Sequence, residues 1–400
     1  MVSVRIGPDV RFAVVGTTSY LAKHPAAEHG KELVAHSCHA SQDAGRPIGK
    51  IMNRLLAIAL SFWIASAVAE NPEAPQPSPD LSLTVYAMPQ RLVELRDGRK
   101  IHLFCLGKGS PTVILTAGLP DWAAAWSKVQ APIALKTRVC AWDRAGLGFS
   151  DPSSAPQDVS HTTTDLEEAF KRAKIDGPYI LVGHSMGGYE SLLFADRHPR
   201  QVLGMVLIDP ALPDQDRRAK LVAPKYAAFL SAGFDQSAAL LKKCAAELRS
   251  GVLRIGSPDP DNCFDYSPSF PIELTAALMR LDNNPARLMT EASTFEQFAH
   301  SCQMVVNPER NYGSIPIRVL TASEPLPGTP ADVLAARPPY YAEKLRAHAA
   351  MAALSTDGIT KVVGTNHTEI LDLKPEVTIS TVGEVVDKAR TNPRTGVAQH

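Results

Sequence analysis

The sequence predicts an α/β protein whose mostly parallel sheet is covered by helices on both faces. Three observations predict it. Beyond about residue 82, apolar runs suited to buried strands alternate with helix-forming segments. One such run, Tyr179-Ile180-Leu181-Val182, enters Gly183-His184-Ser185-Met186-Gly187-Gly188 and then a helix-forming stretch from Gly188 to His198. The alternation breaks at Asp209-Pro210 and resumes at Ile315 to Leu320, with a polar, helical stretch between.

Composition sets the outer bounds. A chain of 400 residues with 45% hydrophobic content can bury a large core. Lys+Arg and Asp+Glu balance at 41 each, with no basic block, which argues against nucleic acid or an anionic membrane surface as the main partner. There is no internal repeat and no His/Cys grouping at finger-like spacing.

The first 81 residues read as export and tether. Lys50 and Arg54 precede an apolar run from Leu55 to Ile64, and Ala67-Val68-Ala69 supplies small residues for cleavage. That is the layout of a signal peptide over 52–69, in a run too short for a comfortable membrane span. Met52 stands where its initiator belongs, so residues 1–51 read as a non-native extension from start-site choice. A buried helix or membrane anchor over Leu55 to Val68 is the competing reading. Residues 70–81, with Pro72, Pro75, Pro77 and Pro79, read as an extended linker.

The elements follow in order. Arg91 to Leu95 and Lys100 to Leu106 flank Asp97-Gly98 as a hairpin. Pro111 to Leu115 is a buried strand, followed by a helix from about Trp122 to Leu135 and a strand from Thr137 to Trp142. A helix near Thr164 to Ala173 takes its N-cap from Thr162 to Thr164 and carries acids in its first turn. After the Gly-x-Ser-x-Gly strand and helix comes the strand Gln201 to Ile208. Ile315 to Leu320 is a strand, Ala342 to Ala353 a helix, Ile359 to Val363 a strand and Pro375 to Arg390 the last helix.

A serine on so tight a strand-to-helix turn is held in a strained conformation with its hydroxyl pushed out above the sheet. Glycines flank it because side chains there would collide with neighbouring backbone. This segment resembles the nucleophile elbow of the α/β-hydrolase superfamily, with Ser185 as candidate nucleophile. The loop Asp143-Arg144-Ala145-Gly146-Leu147-Gly148-Phe149-Ser150-Asp151 resembles the loop after strand four in capped members; Asp143 and Arg144 there read as an ion pair or backbone brace. The resemblance covers about residues 85–390. It implies an α/β-hydrolase fold with a mostly parallel eight-stranded sheet. Residues 82–210 and 314–392 would form its core, and 211–313 a helical cap inserted between strands six and seven.

A serine hydroxyl needs an imidazole to take its proton, and the imidazole needs an acid to fix its tautomer. His367, in Gly364-Thr365-Asn366-His367-Thr368 after the last strand, is the candidate base; Asn366 stands where many relatives have glycine. The acid has two candidates. Asp209, at the tip of strand six, is preferred over Glu324, which follows strand seven where most of the superfamily keeps it. Asp209 also has a plain reading, as an N-cap for the first turn beyond the strand. The backbone N–H groups of Leu119 and Met186 are the expected oxyanion donors, since Pro120 has none. Trp122 and His184 are candidate substrate contacts, with Trp126 shared between pocket and core.

The resemblance therefore implies a cap-bearing serine hydrolase that cleaves an ester-type small molecule and needs no metal or organic cofactor. A serine at the elbow argues against haloalkane or epoxide chemistry, for which relatives use an aspartate. Carbon–carbon bond hydrolysis, cofactor-free haloperoxidation and a non-catalytic binding protein on the same scaffold are the alternatives. In the implied sheet order Cys105 and Cys140 lie on neighbouring strands and can form a disulfide, while Cys244 pairs with Cys263 or Cys302. All five are otherwise small buried hydrophobes.

Overall fold

The computed structural model describes residues 2–5, 11–14, 79–264 and 266–391. The chain divides into two units, Met1–Trp63 and Ile64–His400. In the first, Val2–Arg5 and Arg11–Val14 pair antiparallel with Val2 opposite Val14. The proposed signal peptide and most of the linker lie outside the described residues, as does the rest of the 1–51 extension.

In the second unit the described residues begin at Pro79. Asp80 accepts the Ser82 N–H and caps a 3-10 turn, Leu81–Tyr86, whose Leu83 and Tyr86 are buried in the core. The sheet has eight strands. They are β1 (Arg91–Glu94), β2 (Lys100–Leu106), β3 (Thr112–Thr116), β4 (Val139–Trp142), β5 (Tyr179–His184), β6 (Val202–Ile208), β7 (Ile317–Ala322) and β8 (Gly358–Val363). Their spatial order is β1-β2-β4-β3-β5-β6-β7-β8. Only β2 runs against the rest: it pairs antiparallel with both β1 and β4, and every other ladder is parallel.

Parallel strands covered on both faces must be apolar throughout, and β3, β4, β5 and β6 are buried at every position. The two-residue period sends alternate side chains to opposite layers. Val113, Leu115, Ile180 and Val182 pack with Val129 and Ile133 of α1 (Ser127–Ala134) and with Val382, Val385 and Val386 of α12 (Pro375–Thr391). Ile114 and Leu181 pack instead with Leu166 and Phe170 of α2 (Val159–Arg172), Leu192 of α3 (Gly187–Arg197) and Met351 of α10 (Arg337–Ala352).

Between β6 and β7 the described residues form five helices: α4 (Gln215–Val222), α5 (Pro224–Ser250), α6 (Ile272–Asp282), α7 (Pro285–Glu296) and α8 (Phe298–Met304). They are fastened to the sheet layer by polar clasps. Arg287 of α7 donates to the carbonyls of Gly148 and Ser150, 2.7 Å each. Ser301 of α8 accepts the Val159 N–H at the start of α2. Disulfides join Cys105 to Cys140, directly opposite across β2 and β4, and Cys244 to Cys263; Cys302 is buried and free. No helix among the described residues is long and apolar enough to cross a membrane.

Candidate active site

Ser185 sits between β5 and α3 with φ +53°, a left-handed conformation that a non-glycine residue holds only under constraint. The constraint is visible. Its N–H donates to Ile208 O, and its carbonyl accepts from Gly188 and Ala211. A Cβ at Gly183 would lie 2.2 Å from the Gly187 carbonyl oxygen, and one at Gly187 would lie 2.2 Å from that of Thr116. Neither backbone can retreat, so the turn requires glycine at both.

The structure brings Ser185, His367 and Asp209 together. His367 Nε2 lies 2.9 Å from Ser185 Oγ, and His367 Nδ1 lies 2.6 Å from Asp209 Oδ2. Asp209 follows β6 with φ +40°, and its side chain is fully buried. Burial alone would raise its carboxyl. The positive charge of Lys344 and the His367 hydrogen bond outweigh it and hold the group far below the usual carboxylate range. An ionised carboxylate only accepts, so Nδ1 of His367 carries a hydrogen toward Asp209, and Nε2 is the ring nitrogen that faces the Ser185 hydroxyl. Asp209 Oδ1 accepts from Ala322 N–H at 2.9 Å as well.

Glu324 is exposed; its N–H bonds the Thr365 carbonyl, and the carboxylate beside His367 is that of Asp209. His184 is 3% exposed. Its Nε2 is 3.0 Å from the His367 carbonyl oxygen, and the two rings sit 4.9 Å apart. Burial, then the neighbouring His367, push its pKa down to about 3, so the ring is neutral and donates to that carbonyl. It is placed to support the His367 loop. Trp122 is half-buried, edge-on to Tyr86 and Phe149, while Trp126 is wholly in the core.

Leu119 follows β3, and its side chain packs against the cluster that contains Met186. The ion pair or backbone brace expected of Arg144 holds that loop, with Glu190 as a partner the sequence did not name. Arg144, 2% exposed, donates to Ala117 O at 2.7 Å and Gly118 O at 3.2 Å, with its Nε on Glu190 Oε1 at 2.7 Å. Thr162 Oγ1 donates to the same Glu190 oxygen. Asp143 is not paired with Arg144; it braces the backbone N–H groups of Ala123 and Phe149 and the ring of His102. Lys344 and His348, on one face of α10, were missed too. The spacing of four between two titratable residues on a predicted helix was the available signal, but nothing local says what that face meets.

Comparison with known proteins bears on the fold. A family described as alpha/beta hydrolase fold matches residues 111–242. An uncharacterized protein of Schizosaccharomyces pombe is 47% identical over 73 residues, 18% of this chain and 14% of that one. The uncharacterized protein YqjL of Bacillus subtilis is 33% identical over 108 residues, 27% of this chain and 43% of that one. The chain thus spans less than half the length of these curated relatives. Among solved structures, the epoxide hydrolase CorEH is 19% identical with a TM-score of 0.51, covering 74% of this chain and 98% of its own. The structure titled DBJA is 16% identical with a TM-score of 0.53, covering 78% and 99%. At such identities the likeness speaks for the fold and not for the reaction.

Proposed function

We propose that this chain, a member of the α/β-hydrolase superfamily, is a serine hydrolase that cleaves a carboxylic ester-type small molecule. The observation that carries the proposal is the unbroken relay from Ser185 Oγ through both nitrogens of His367 to the buried carboxylate of Asp209. In the proposed reaction Ser185 attacks the carbonyl carbon while His367 Nε2 takes its proton. The N–H groups of Leu119 and Met186 hold the oxyanion. The imidazolium, stabilised by Asp209, then protonates the departing alcohol, and water repeats the sequence on the acyl-enzyme. Asp209 is the acid in this reading because Glu324 is exposed and makes no approach to the imidazole.

Residues 211–313 serve as a cap in the same proposal, since Arg287 and Ser301 tie these helices to loops around the sheet. Trp122, half-buried beside Phe149, is kept as a substrate contact. Export to the periplasm or the exterior is supported by the two disulfides, which an oxidising compartment preserves.

A fluorophosphonate probe tests the reading. Labelling of the wild type and none of Ser185→Ala is the expected result. In a panel of esters, amides and vinylogous diketones, esters should be turned over. Asp209→Asn should then lower kcat by about 10⁴-fold, and Glu324→Gln by no more than about threefold. An unlabelled wild type, or a larger loss at Glu324, would remove the proposal.

A further inference from the structure

The carboxylate behind His367 is shared with a second cation. Lys344 Nζ stands astride Asp209, 2.6 Å from Oδ1 and 2.7 Å from Oδ2. Its third contact is the carbonyl of Ala322, at 3.4 Å, and its side chain is 12% exposed. Asp209 thus receives a hydrogen bond from His367 on one oxygen, one from the Ala322 N–H on the other, and an ammonium across both. An Asp–His pair ordinarily stabilises the imidazolium through the full charge of the carboxylate. Here a fixed positive charge cancels much of that charge and also repels a proton arriving on the ring.

We infer that Lys344 is a positioning residue that sets the acid limit of the site: it locks the carboxylate of Asp209 and keeps the imidazole of His367 free to accept a proton at lower pH than an Asp–His pair alone would allow. The other groups around the pair do not supply this effect. His348, one turn along α10 from Lys344, bonds the Pro210 carbonyl and Thr321; burial pushes it down to about 4, so it is neutral. His184, beneath the ring, is neutral as well. Tyr226 of α5 and Tyr340 of α10 are pushed up by burial and stay uncharged. Arg337 is committed to the carbonyls of Ser323 and Glu324. Glu369, two residues beyond His367, accepts from Asn366 Nδ2, and Asp121, in the loop after β3, senses His367 too. A negative charge on either would act in the opposite direction to that of Lys344.

The consequence for catalysis rests on the serine-hydrolase reading, but the readout does not. In the full chain the ring C–H signal of His367, assigned by its loss in His367→Ala, is titrated by NMR in wild type and Lys344→Met. The rate of Ser185 labelling is followed over the same pH range. Both midpoints should rise by about one pH unit in Lys344→Met, and Lys344→Arg should return them to the wild-type position. An unmoved midpoint in a folded Lys344→Met overturns the inference. Should that variant not fold, Lys344→Gln, which keeps an N–H for Asp209 without the charge, must show the same rise. If neither uncharged variant folds, the lysine is a requirement of the fold and the inference is overturned too. A displaced imidazole titration in a protein that neither labels nor hydrolyses esters leaves the role of Lys344 standing and removes the serine-hydrolase proposal instead.

Discussion

Arg144 shows how one side chain can govern a hydrogen-bond donor it never touches. In a planar trans peptide the C=O and N–H point in opposite directions. By gripping the Gly118 carbonyl, Arg144 fixes the direction of the N–H in the same peptide, which belongs to Leu119. Under the proposed ester hydrolysis, with the Leu119 N–H as the proposed oxyanion donor, Arg144→Met should lower kcat by about 10²-fold or more, with KM little changed. It should also destabilise the fold by about 3–5 kcal/mol, because Glu190 would be left buried without its cation. Steady-state kinetics beside a thermal melt separates the two effects. A fall confined to stability would reduce Arg144 to a structural ion pair. That Arg144 would brace backbone or an ion pair was readable beforehand; which peptide and which carboxylate it holds was not. Ser185 and His367 stand out through local context, a strand, a turn and chain order, and Asp209 through its place at a strand tip. The partners that hold them are 46 residues away for Arg144 and Glu190 and 135 for Lys344 and Asp209, distances over which sequence pattern carries no information.

Strands were more legible than helix starts, for a reason visible in their ends. The observed β2 matches the expected Lys100 to Leu106, since alternation and the Asp97-Gly98 turn leave little freedom. β7 is displaced by two residues to Ile317–Ala322: Pro316 has no N–H for the ladder, and its carbonyl takes the Met205 N–H just before regular pairing begins. The helix expected from Thr164 begins at Val159. Asp158 is its cap, accepting from Ser160 and His161, so the first turn lacks acids and the threonines at 162 and 163 are buried within it. The helix expected from Trp122 divides into a 3-10 turn and α1. α7 carries its own test. Beside its clasp Arg287, the carboxyl of Glu291 is pushed up to about 8 by burial and then by Asp282. Its stabilising contribution is complete below the unfolded value of 4.5 and disappears as pH rises through the folded one. Glu291→Gln should accordingly leave the melting temperature unchanged at about pH 4 and raise it increasingly up to about pH 8. A difference that stays constant across that range would contradict the assignment.

At the scale of the whole molecule, the sheet concentrates the proposed chemistry at one end of β3, β5, β6 and β8, where Leu119, Ser185, Asp209 and His367 follow their strands within a few residues. The opposite design problem lies along its flank. β8 pairs only with β7 among the described strands, and Ile359 and Val362 are 51% and 53% exposed. A bare edge of this kind is a template for another chain, and Lys361, on the same face as Ile359 and next to Val362 in sequence, is a charge that a pairing strand would have to bury. Lys361→Val should promote concentration-dependent self-association, read by light scattering, without altering the fold of the monomer. Because the same strand leads into the His367 loop, a protomer recruited to this edge would be bound beside that loop.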